Sequence, residues 1–376
     1  MTASVQRELW ARAAGRCQFN GCNRLLFKSS VTQESVNASQ QAHIWSFSET
    51  GPRGWGPFRR SLNKINDISN LMLLCHECHK KIDQHQDGGR YPSSLLIDWK
   101  STHEKRVEVV TGIAPEKKSH VVLYGANIGT EKSPMQLYDC IQSMFPGRYP
   151  ASERPIELSM RSELRDCSSD YWRAEKQHLL QAFERRVAPV VDQDPCKHFS
   201  VFALAPQPLL ILLGTLFTDK VSVETYQLHR EPKGWTWLDE PSDFEFKIRR
   251  PADFDHPPAL ILALSDHVEK ERVEREFEHD VSTWVVTIPK PHNDFLKSRA
   301  QLSIFRQTIR QLMVDIKHLH GDEQLLSIFP VMPIACAIEM GRARMPKADM
   351  PWVLYDHDYA TQRFHQTIEI RGDDRA

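Results

Sequence analysis

Two closely spaced pairs of cysteines, far apart in the sequence, restrict how the front of this chain can fold. Cys17 and Cys22 form one pair, and Cys75 and Cys78 form the other. Zn²⁺ prefers tetrahedral thiolate ligands, and two pairs with two to four intervening residues can close a four-cysteine site. The spacing therefore predicts a structural zinc ion that ties the two segments together. Structural zinc contributes to folding directly, with apparent binding free energies of about 10–16 kcal/mol in zinc-finger peptides.

The expected compartment favours metal-binding thiols over disulfides. No stretch approaches the roughly 20 apolar residues that a membrane-spanning helix needs, and the first residues lack the layout of a secretion signal. We therefore expect a cytoplasmic protein without a membrane partner, in which thiols stay reduced. The chain has 8 cysteines, and the four outside the two pairs are scattered. We expect these four to be buried, inert thiols.

The charge of the chain is divided unevenly. Residues 1–118 carry 17 Lys and Arg against 11 Asp and Glu, whereas the remainder carries 31 against 38. A basic front joined to an acidic remainder indicates that only the front contacts a polyanion such as nucleic acid.

The pattern along the chain predicts an α/β protein with three parts. Residues 1–112 form a first domain, and the change of composition at 112–118 opens a segment, 113–152, interpreted as a connector with one strand near 120–124. Residues 153–376 alternate strand-like apolar runs with helical patterns, which is typical of an α/β sheet. Two strand–helix units, near 198–216 and from 259, suggest a duplicated Rossmann-like fold. The sequence has no Gly-rich phosphate-binding motif of a nucleotide hydrolase or dehydrogenase.

A further set of polar residues surrounds the cysteine pairs. Ala42-His43-Ile44 lies between the pairs, and Asn70 and His79 flank the second pair. In this order, the cysteines and these residues resemble the HNH endonucleases of the ββα-metal class, over about residues 5–85. The resemblance implies a zinc-ribbon nuclease domain that hydrolyses nucleic-acid phosphodiesters with a divalent cation.

The resemblance also implies a role for each residue. His43 matches the general base, and Asn70 matches the residue that orients its imidazole. His79 matches a ligand of the catalytic Mg²⁺ or Mn²⁺, with Asp83 as a second ligand. Many relatives place an Asp before the first histidine, where this chain has Ala42. The basic candidates for sequence-independent phosphate contacts are Arg53, Arg59, Arg60, Lys64, Lys80 and Lys81.

The larger part resembles the SAVED domain, a tandem fusion of two CARF-like Rossmann units that senses cyclic oligonucleotides. The resemblance covers about residues 155–372 and is carried by residues 198–214, 226–230, 235–237, 329–351 and 353–356. SAVED domains joined to an HNH domain resemble bacterial CBASS anti-phage effectors. What this implies is a receptor that binds a cyclic di- or trinucleotide, forms a homo-oligomer and degrades double-stranded DNA.

Candidate ligand contacts follow from the α/β pattern, because ligands of open sheets lie beyond the carboxyl ends of the strands. Base stacking on an aromatic side chain is worth about 1–3 kcal/mol. The candidates are Pro206, Gln207 and Ser265 after strands, Trp172, Trp237 and Tyr355 for stacking or hydrogen bonding, and Arg342 and Lys347 for phosphates.

Two other functions remain open at this point. A restriction-type HNH endonuclease would use the second half to read DNA sequence or modification, although the acidic balance of that half disfavours a DNA reader. A zinc-ribbon adaptor without catalysis is the other. Constitutive site-specific cleavage would favour the first, and cleavage under any condition would eliminate the second.

Overall fold

The chain separates into two units, Met1–Ala114 and Pro115–Ala376. In this computed structural model the described residues are 1–85, 88–128, 135–160, 164, 166, 168–217, 221–239, 244–346, 348–358 and 361–372. Within these ranges, no helix is both long and apolar enough to cross a bilayer.

The front unit is a β-hairpin followed directly by a helix, with further helices around it. Strands β1 and β2 are antiparallel, and His43 at the end of β1 faces Leu71 at the start of β2. Every residue of β2 is buried, which matches its uniformly apolar sequence. The elements are α1 (Ala3–Arg12), β1 (Ser39–His43), β2 (Leu71–Cys75), α2 (His76–Ile82) and α3 (Ser93–Thr111).

The second unit alternates strands and helices over its whole length. Its first part comprises β3 (Lys118–Gly125), α4 (Leu137–Met144), β4 (Tyr149–Pro150), β5 (Ile156–Glu157), α5 (Ser169–Arg186), α6 (Ala188–Gln193), β6 (His198–Leu204), α7 (Gln207–Leu216), β7 (Ser222–Thr225), β8 (His229–Arg230) and β9 (Lys233–Gly234). Its second part comprises β10 (Lys247–Arg249), β11 (Pro258–Ala263), α8 (Lys270–Glu274), β12 (Ser282–Thr287), α9 (Arg299–His320), β13 (Leu326–Val331), α10 (Ile334–Ala343), β14 (Trp352–Asp358) and β15 (Arg363–Ile370).

Most of these strands form two sheets with parallel centres, and β8 and β9 form a separate antiparallel pair. The first sheet has the order β4-β3-β6-β7, with β5 also paired to β3, and all of these pairs are parallel. The second has the order β10-β12-β11-β13-β14-β15, with antiparallel strands only at its two edges. The predicted α/β class is confirmed, because parallel strands require the helical crossovers that the sequence pattern indicated.

The interpretation of residues 113–152 as a connector is wrong. The strand expected near 120–124 is β3, which pairs in parallel with β6 and forms the middle of the first sheet. Its residues from Ser119 to Gly125 are buried. The apolar run was visible in the sequence, but its partner lies about 80 residues further on, so local composition could not reveal the pairing.

Helices α7 and α10 pack closely on each other and join the two sheets. Each helix follows the carboxyl end of a central strand, and Pro206 and Pro333 occupy the equivalent N-cap positions. Eight residues after each proline stands a glycine. A Cβ at Gly214 would lie 2.1 Å from the Ile338 carbonyl oxygen, and one at Gly341 would lie 2.0 Å from that of Ile211. Only glycine allows the two backbones to approach this closely.

Candidate functional site

The four paired cysteines meet at the junction of β2 and α2. Cys75 ends β2 and Cys78 lies in the first turn of α2, while Cys17 and Cys22 lie in the segment after α1. Their four sulfur atoms are within 4.8 Å of one another. The amide of Cys75 also donates to the Cys17 sulfur at 3.3 Å. The predicted clustering of the cysteines is confirmed, and this set of four sulfur donors fits a tetrahedral Zn²⁺.

Burial opposes ionisation of these thiols. It raises the pKa of Cys17 to about 12, and it is also the main cause that raises the pKa of Cys78. At Cys75 burial acts in the same direction, but hydrogen bonds from Cys78 outweigh it and the pKa is lowered. Because zinc binds thiolates, its binding here must release protons from buried thiols, which makes the affinity fall at low pH.

His43 is half-buried at the end of β1, with one ring nitrogen engaged. Its Nε2 is 2.9 Å from Oδ1 of Asn66. An amide oxygen only accepts hydrogen bonds, so Nε2 carries the proton and Nδ1 is the nitrogen left to accept one. That arrangement is what general-base catalysis requires of an imidazole. Phe47 lies beside the ring, with centroids 6.0 Å apart, and is 66% exposed.

Asn70 does not contact the imidazole, so the prediction that it orients the ring directly is wrong. Its Oδ1 accepts a hydrogen bond from the Trp45 amide at 2.8 Å. Its Nδ2 donates to the carbonyls of Trp45 and Ile65 at 3.0 and 2.9 Å. Asn70 is fully buried and fixes the backbone that follows His43. The ring itself is held by Asn66, which no sequence motif indicated.

His79 and Asp83 form a pair one helical turn apart. His79 lies in α2, and its Nε2 is 3.1 Å from Oδ2 of Asp83. The other carboxylate oxygen of Asp83 accepts a hydrogen bond from Arg53 at 2.7 Å. Burial acts to raise the pKa of Asp83, but the hydrogen bonds from His79 and Arg53 outweigh it, and the pKa is lowered. The carboxylate is therefore charged at neutral pH.

Ala42 occupies the position where many relatives carry an Asp, and it faces the core. Ala42 is fully buried, and alternate residues of a strand point to opposite sides, so it lies across β1 from His43. Within the described ranges, only the cysteine cluster brings together three or more His, Cys, Asp or Glu ligand atoms. A catalytic cation at His79 would thus keep several water or phosphate ligands, which suits Mg²⁺ or Mn²⁺.

Five of the six basic residues predicted to contact phosphates have exposed side chains, but the sixth does not. The side chain of Arg53 is only 4% exposed. Its guanidinium is bonded within the front unit, so the prediction of a phosphate contact is wrong for this residue.

In the second unit, predicted ligand residues from different strands meet at the carboxyl end of β13. Pro206 precedes α7, and the side-chain oxygen of Gln207 accepts a hydrogen bond from the Met332 amide at 3.0 Å. The Ser265 amide donates to the Val331 carbonyl at 2.8 Å. The structure therefore brings Gln207, with Pro206 beside it, close to Ser265, although they follow strands of different sheets.

Two of the three aromatic candidates, Trp172 and Trp237, are packed inside the unit, whereas Tyr355 is half-buried. Trp172 is 3% and Trp237 is 8% exposed, and each packs edge-on against another aromatic ring. The ring of Tyr355 stacks on Phe329 with centroids 4.3 Å apart. The prediction that Trp172 and Trp237 stack on a base is therefore wrong, whereas that of a contact through Tyr355 stays a prediction. The indole N–H groups of both tryptophans have no hydrogen-bond partner among the described residues.

Arg342 belongs to an internal network. It pairs at 2.7 Å with Glu339, which is fully buried. Glu339 also accepts hydrogen bonds from Arg306 and Thr225, both at 2.6 Å. This network links β7, α9 and α10, so the prediction that Arg342 is a free phosphate ligand is wrong. Lys347 lies outside the described residues.

A buried carboxyl group that no sequence motif indicated lies beside Trp172. Glu175 is 1% exposed, and neither of its carboxyl oxygens has a hydrogen-bond partner among the described residues. Burial raises its pKa to about 7. Burial, and to a smaller extent the nearby Glu175 carboxyl, raises the pKa of Tyr124. The Tyr124 hydroxyl also has no hydrogen-bond partner among the described residues. A glutamate in the apolar stripe of α5, between Trp172 and Leu179, was the signal that could have revealed it.

Comparison with protein families identifies two regions. The model of the SMODS-associated and fused to various effectors sensor domain, SAVED, matches residues 179–370, which is just over half of the chain. The model of the HNH endonuclease, HNH_2, matches residues 17–86. The second match contains all four clustered cysteines as well as His43, Asn70 and His79. No curated protein matches the chain.

The solved structures that match this chain include SAVED/CARF-domain receptors. The Acinetobacter baumannii Cap4 receptor with the cyclic trinucleotide 2'3'3'-cAAA is 11% identical, with a TM-score of 0.44 over 84% of this chain. The same receptor with 3'3'3'-cAAA has a TM-score of 0.45 at 11% identity over 83%. The Moraxella osloensis Cap4 receptor is 8% identical, with a TM-score of 0.35. This match covers 78% of this chain and 60% of the receptor. The chain spans 66% of the length of the two Acinetobacter receptors.

Proposed function

Because this chain belongs to the SAVED family and carries an HNH endonuclease domain at its front, we propose that it is a DNA endonuclease that a cyclic oligonucleotide activates in anti-phage defence. One observation carries the nuclease assignment. His43 and His79 project from the hairpin and the helix of one ββα unit, and the two elements are held together by a cluster of four cysteines. The proposed substrate is double-stranded DNA.

The proposed reaction is hydrolysis of a phosphodiester bond. Nδ1 of His43 accepts a proton from the attacking water, the new P–O bond forms, and the bond to the leaving oxygen breaks. Asn66 keeps the proton of the imidazole on Nε2 and so keeps Nδ1 available. A divalent cation bound at His79 supplies charge stabilisation of the phosphate and of the leaving oxygen. Asn70 fixes the backbone that carries His43.

The basic charge of the front supports a nucleic-acid substrate. Lys and Arg exceed Asp and Glu in residues 1–118, and five of the candidate phosphate contacts are exposed. Contacts of this kind are independent of sequence and weaken with salt. We therefore propose a nuclease with little sequence preference, whose DNA affinity falls steeply as the salt concentration rises.

The second unit is proposed to bind a cyclic di- or trinucleotide. Support comes from the family match and from polar groups that the protein leaves unpaired. Glu175, Trp172 and Tyr124 present buried polar atoms without a partner among the described residues, near the carboxyl end of β3. A nucleobase edge offers the donors and acceptors that such atoms need. The cluster of Pro206, Gln207 and Ser265 is a second candidate contact region.

Binding is proposed to assemble the protein into a homo-oligomer that cuts DNA. Sedimentation velocity of the purified chain, with and without activator, tests this step. A shift to a larger species only with activator supports it, whereas an unchanged sedimentation coefficient in a sample that cuts DNA would exclude it.

The restriction-type alternative is disfavoured by the acidic balance of the second part of the chain. One assay separates the two functions. Purified protein is incubated with supercoiled plasmid and Mg²⁺, alone and with each member of a panel of cyclic di- and trinucleotides. The proposal expects intact plasmid without ligand and cleavage with at least one member. Site-specific cleavage without ligand would favour the alternative, and a lack of cleavage throughout would refute the proposed function.

A further inference from the structure

Arg53 connects the strand that carries the general base to the helix that carries the metal-binding histidine. On the strand side, its guanidinium donates to the carbonyl of Ile44 at 2.5 Å and, more weakly, to that of His43 at 3.3 Å. On the helix side, it donates to the carbonyl of Ile82 at 2.6 Å and to Oδ1 of Asp83 at 2.7 Å. One side chain therefore holds both ends of the proposed site.

The position of this guanidinium requires an unfavourable backbone conformation and a glycine beside it. The Arg53 backbone has φ +63°, a left-handed conformation that costs a non-glycine residue about 1–3 kcal/mol. A Cβ at Gly88 would lie 2.7 Å from Cγ of Arg53, so the neighbouring chain leaves room for the arginine. Replacement of a buried ion pair by well-packed apolar residues of similar volume is often neutral or stabilising. Stability alone therefore does not account for an arginine here.

The two oxygens of Asp83 are both in use. Oδ1 binds Arg53 and Oδ2 binds Nε2 of His79. A carboxylate that accepts a hydrogen bond from one nitrogen of a histidine fixes the tautomer and turns the other nitrogen toward a metal. In place of the expectation that Asp83 is itself a metal ligand, these contacts suit Asp83 to orienting His79, whose Nδ1 would then be the nitrogen that holds a cation.

We propose that Arg53 is a positioning residue of the nuclease. It fixes the His43 strand relative to the Asp83–His79 pair, and thereby sets the distance between the proton acceptor and the bound cation. This inference rests on the proposed nuclease function. A residue that only stabilised the fold would change the fraction of folded protein, but it would leave the cation affinity of the folded molecules unchanged.

The test uses the full chain with its zinc bound and compares Arg53→Gln, Arg53→Lys and Asp83→Asn with wild type. The matched control is Arg12→Lys, because Arg12 is an exposed arginine paired at 2.6 Å with Glu8 in the same unit. Binding of Mn²⁺ is measured from the loss of the free-ion electron paramagnetic resonance signal, without DNA or activator. Zinc content and the melting temperature are recorded for every variant.

We expect Arg53→Gln to weaken Mn²⁺ binding by about 10-fold, the lower end of the loss for an outer partner of a metal ligand, because Arg53 acts on His79 through Asp83. Arg53→Lys should lie between it and wild type, since lysine can pair with Asp83 but cannot also reach the carbonyls. Arg12→Lys should bind as wild type does. A folded Arg53→Gln protein with wild-type Mn²⁺ affinity would overturn the proposal.

Asp83→Asn keeps the inference testable if Arg53→Gln does not fold. Asparagine can still accept from His79, but its amide group presents a donor to Arg53 and breaks the connection. Wild-type Mn²⁺ affinity in this variant would also overturn the proposal. Wild-type protein that binds Mn²⁺ yet cuts no DNA with any activator would refute the proposed function alone, whereas wild-type protein without a Mn²⁺ site would refute both.

Discussion

The front unit contains a single two-stranded sheet, whereas the second unit is built on a five-stranded and a six-stranded sheet. The hydrophobic cluster of the front unit includes three of its four clustered cysteines, which are the proposed zinc ligands. The main cluster of the second unit consists largely of aliphatic and aromatic residues from the strands and helices of both sheets. The first unit is therefore expected to depend on a metal for its fold, and the second on packing.

This difference coincides with the two proposed functions, DNA cleavage by the front unit and ligand binding by the second. The metal-dependent unit carries His43 and His79, and the packed unit carries the candidate sensor residues. Each unit can accordingly be damaged by its own kind of change while the other keeps its structure. The predictions that follow test that independence.

The largest effect is expected from removing a zinc ligand. Cys75→Ser should lose the zinc and unfold the front unit, because structural zinc supplies on the order of 10 kcal/mol, as much as the whole stability of a typical domain. DNA cleavage should vanish while the binding of the cyclic nucleotide stays unchanged. Differential scanning calorimetry and zinc analysis measure the outcome.

Cys196→Ser is the matched control for that change. Cys196 lies outside the zinc cluster, and its sulfur donates to the Lys118 carbonyl at 3.2 Å, a bond that serine can also make. It should keep its zinc and its activity. If Cys75→Ser retained zinc and a cooperative front-unit transition, the metal-dependent fold of that unit would be disproved.

Loss of the proposed general base should remove activity without changing either fold. His43→Ala should lower kcat by about 10²–10⁴-fold, the usual contribution of a general base. Zinc content, melting temperature and activator affinity should be those of wild type. Exposed His76 provides the control, since His76→Ala should keep kcat within about twofold. Full activity of His43→Ala would exclude His43 as the base.

The close contact between α7 and α10 should be the weak point of the second unit. Gly341→Val would place atoms against the Ile211 carbonyl, which already lies 2.0 Å from an added Cβ. Because backbone must move, we expect a loss of about 3 kcal/mol in that unit, near the upper end for overpacking. Gly147→Ala, whose Cβ would lie 3.6 Å from the Met144 carbonyl, should be neutral.

The calorimetric transition of the front unit should not change in either glycine variant. If Gly341→Val lowered both transitions equally, the two units would not be energetically independent. Wild-type stability of the second unit in that variant would show that the helices can separate without loss.

The most gradual effect concerns the pH dependence of the second unit. Folding keeps Glu175 protonated up to a pKa of about 7, whereas the unfolded chain releases the proton near 4.5. Its contribution is complete below pH 4.5 and is lost as the pH rises to about 7, so the free energy of unfolding should fall by roughly 3 kcal/mol over that range. Glu175→Gln should remove this slope.

Asp356 adds to the same pH dependence, because burial and Asp166 raise its pKa to about 8. Comparison of wild type with Glu175→Gln isolates the contribution of Glu175 to the slope. Urea unfolding between pH 4.5 and 8 supplies the free energies. The same slope in both proteins would show that Glu175 is not protonated in the folded state.

Features with a local signal were predictable from the sequence. The spacing of Cys17, Cys22, Cys75 and Cys78 indicated their convergence, and the apolar runs at β6, β11 and β13 indicated buried parallel strands. Their residue types and periodicity are set by burial, which a short window of sequence records.

Features that depend on partners distant in sequence were not predictable. Asn66 contacts His43 across 23 residues, and Arg53 reaches Asp83 across 30. Neither has a motif of its own. The assignments of Trp172 and Trp237 as stacking platforms were wrong because an isolated tryptophan has the same sequence signal in a core as at a binding site. Which of the two it occupies is decided by tertiary packing.

DNA cleavage by the front unit is proposed to require a cyclic nucleotide bound to the second unit. Binding of an activating cyclic nucleotide is measured by titration calorimetry on wild type and His43→Ala, and plasmid cleavage is measured over the same activator concentrations. We predict superimposable binding curves, cleavage by wild type alone, and half-maximal cleavage within a few-fold of the Kd. Cleavage that does not depend on activator, or cleavage by His43→Ala, would contradict the account.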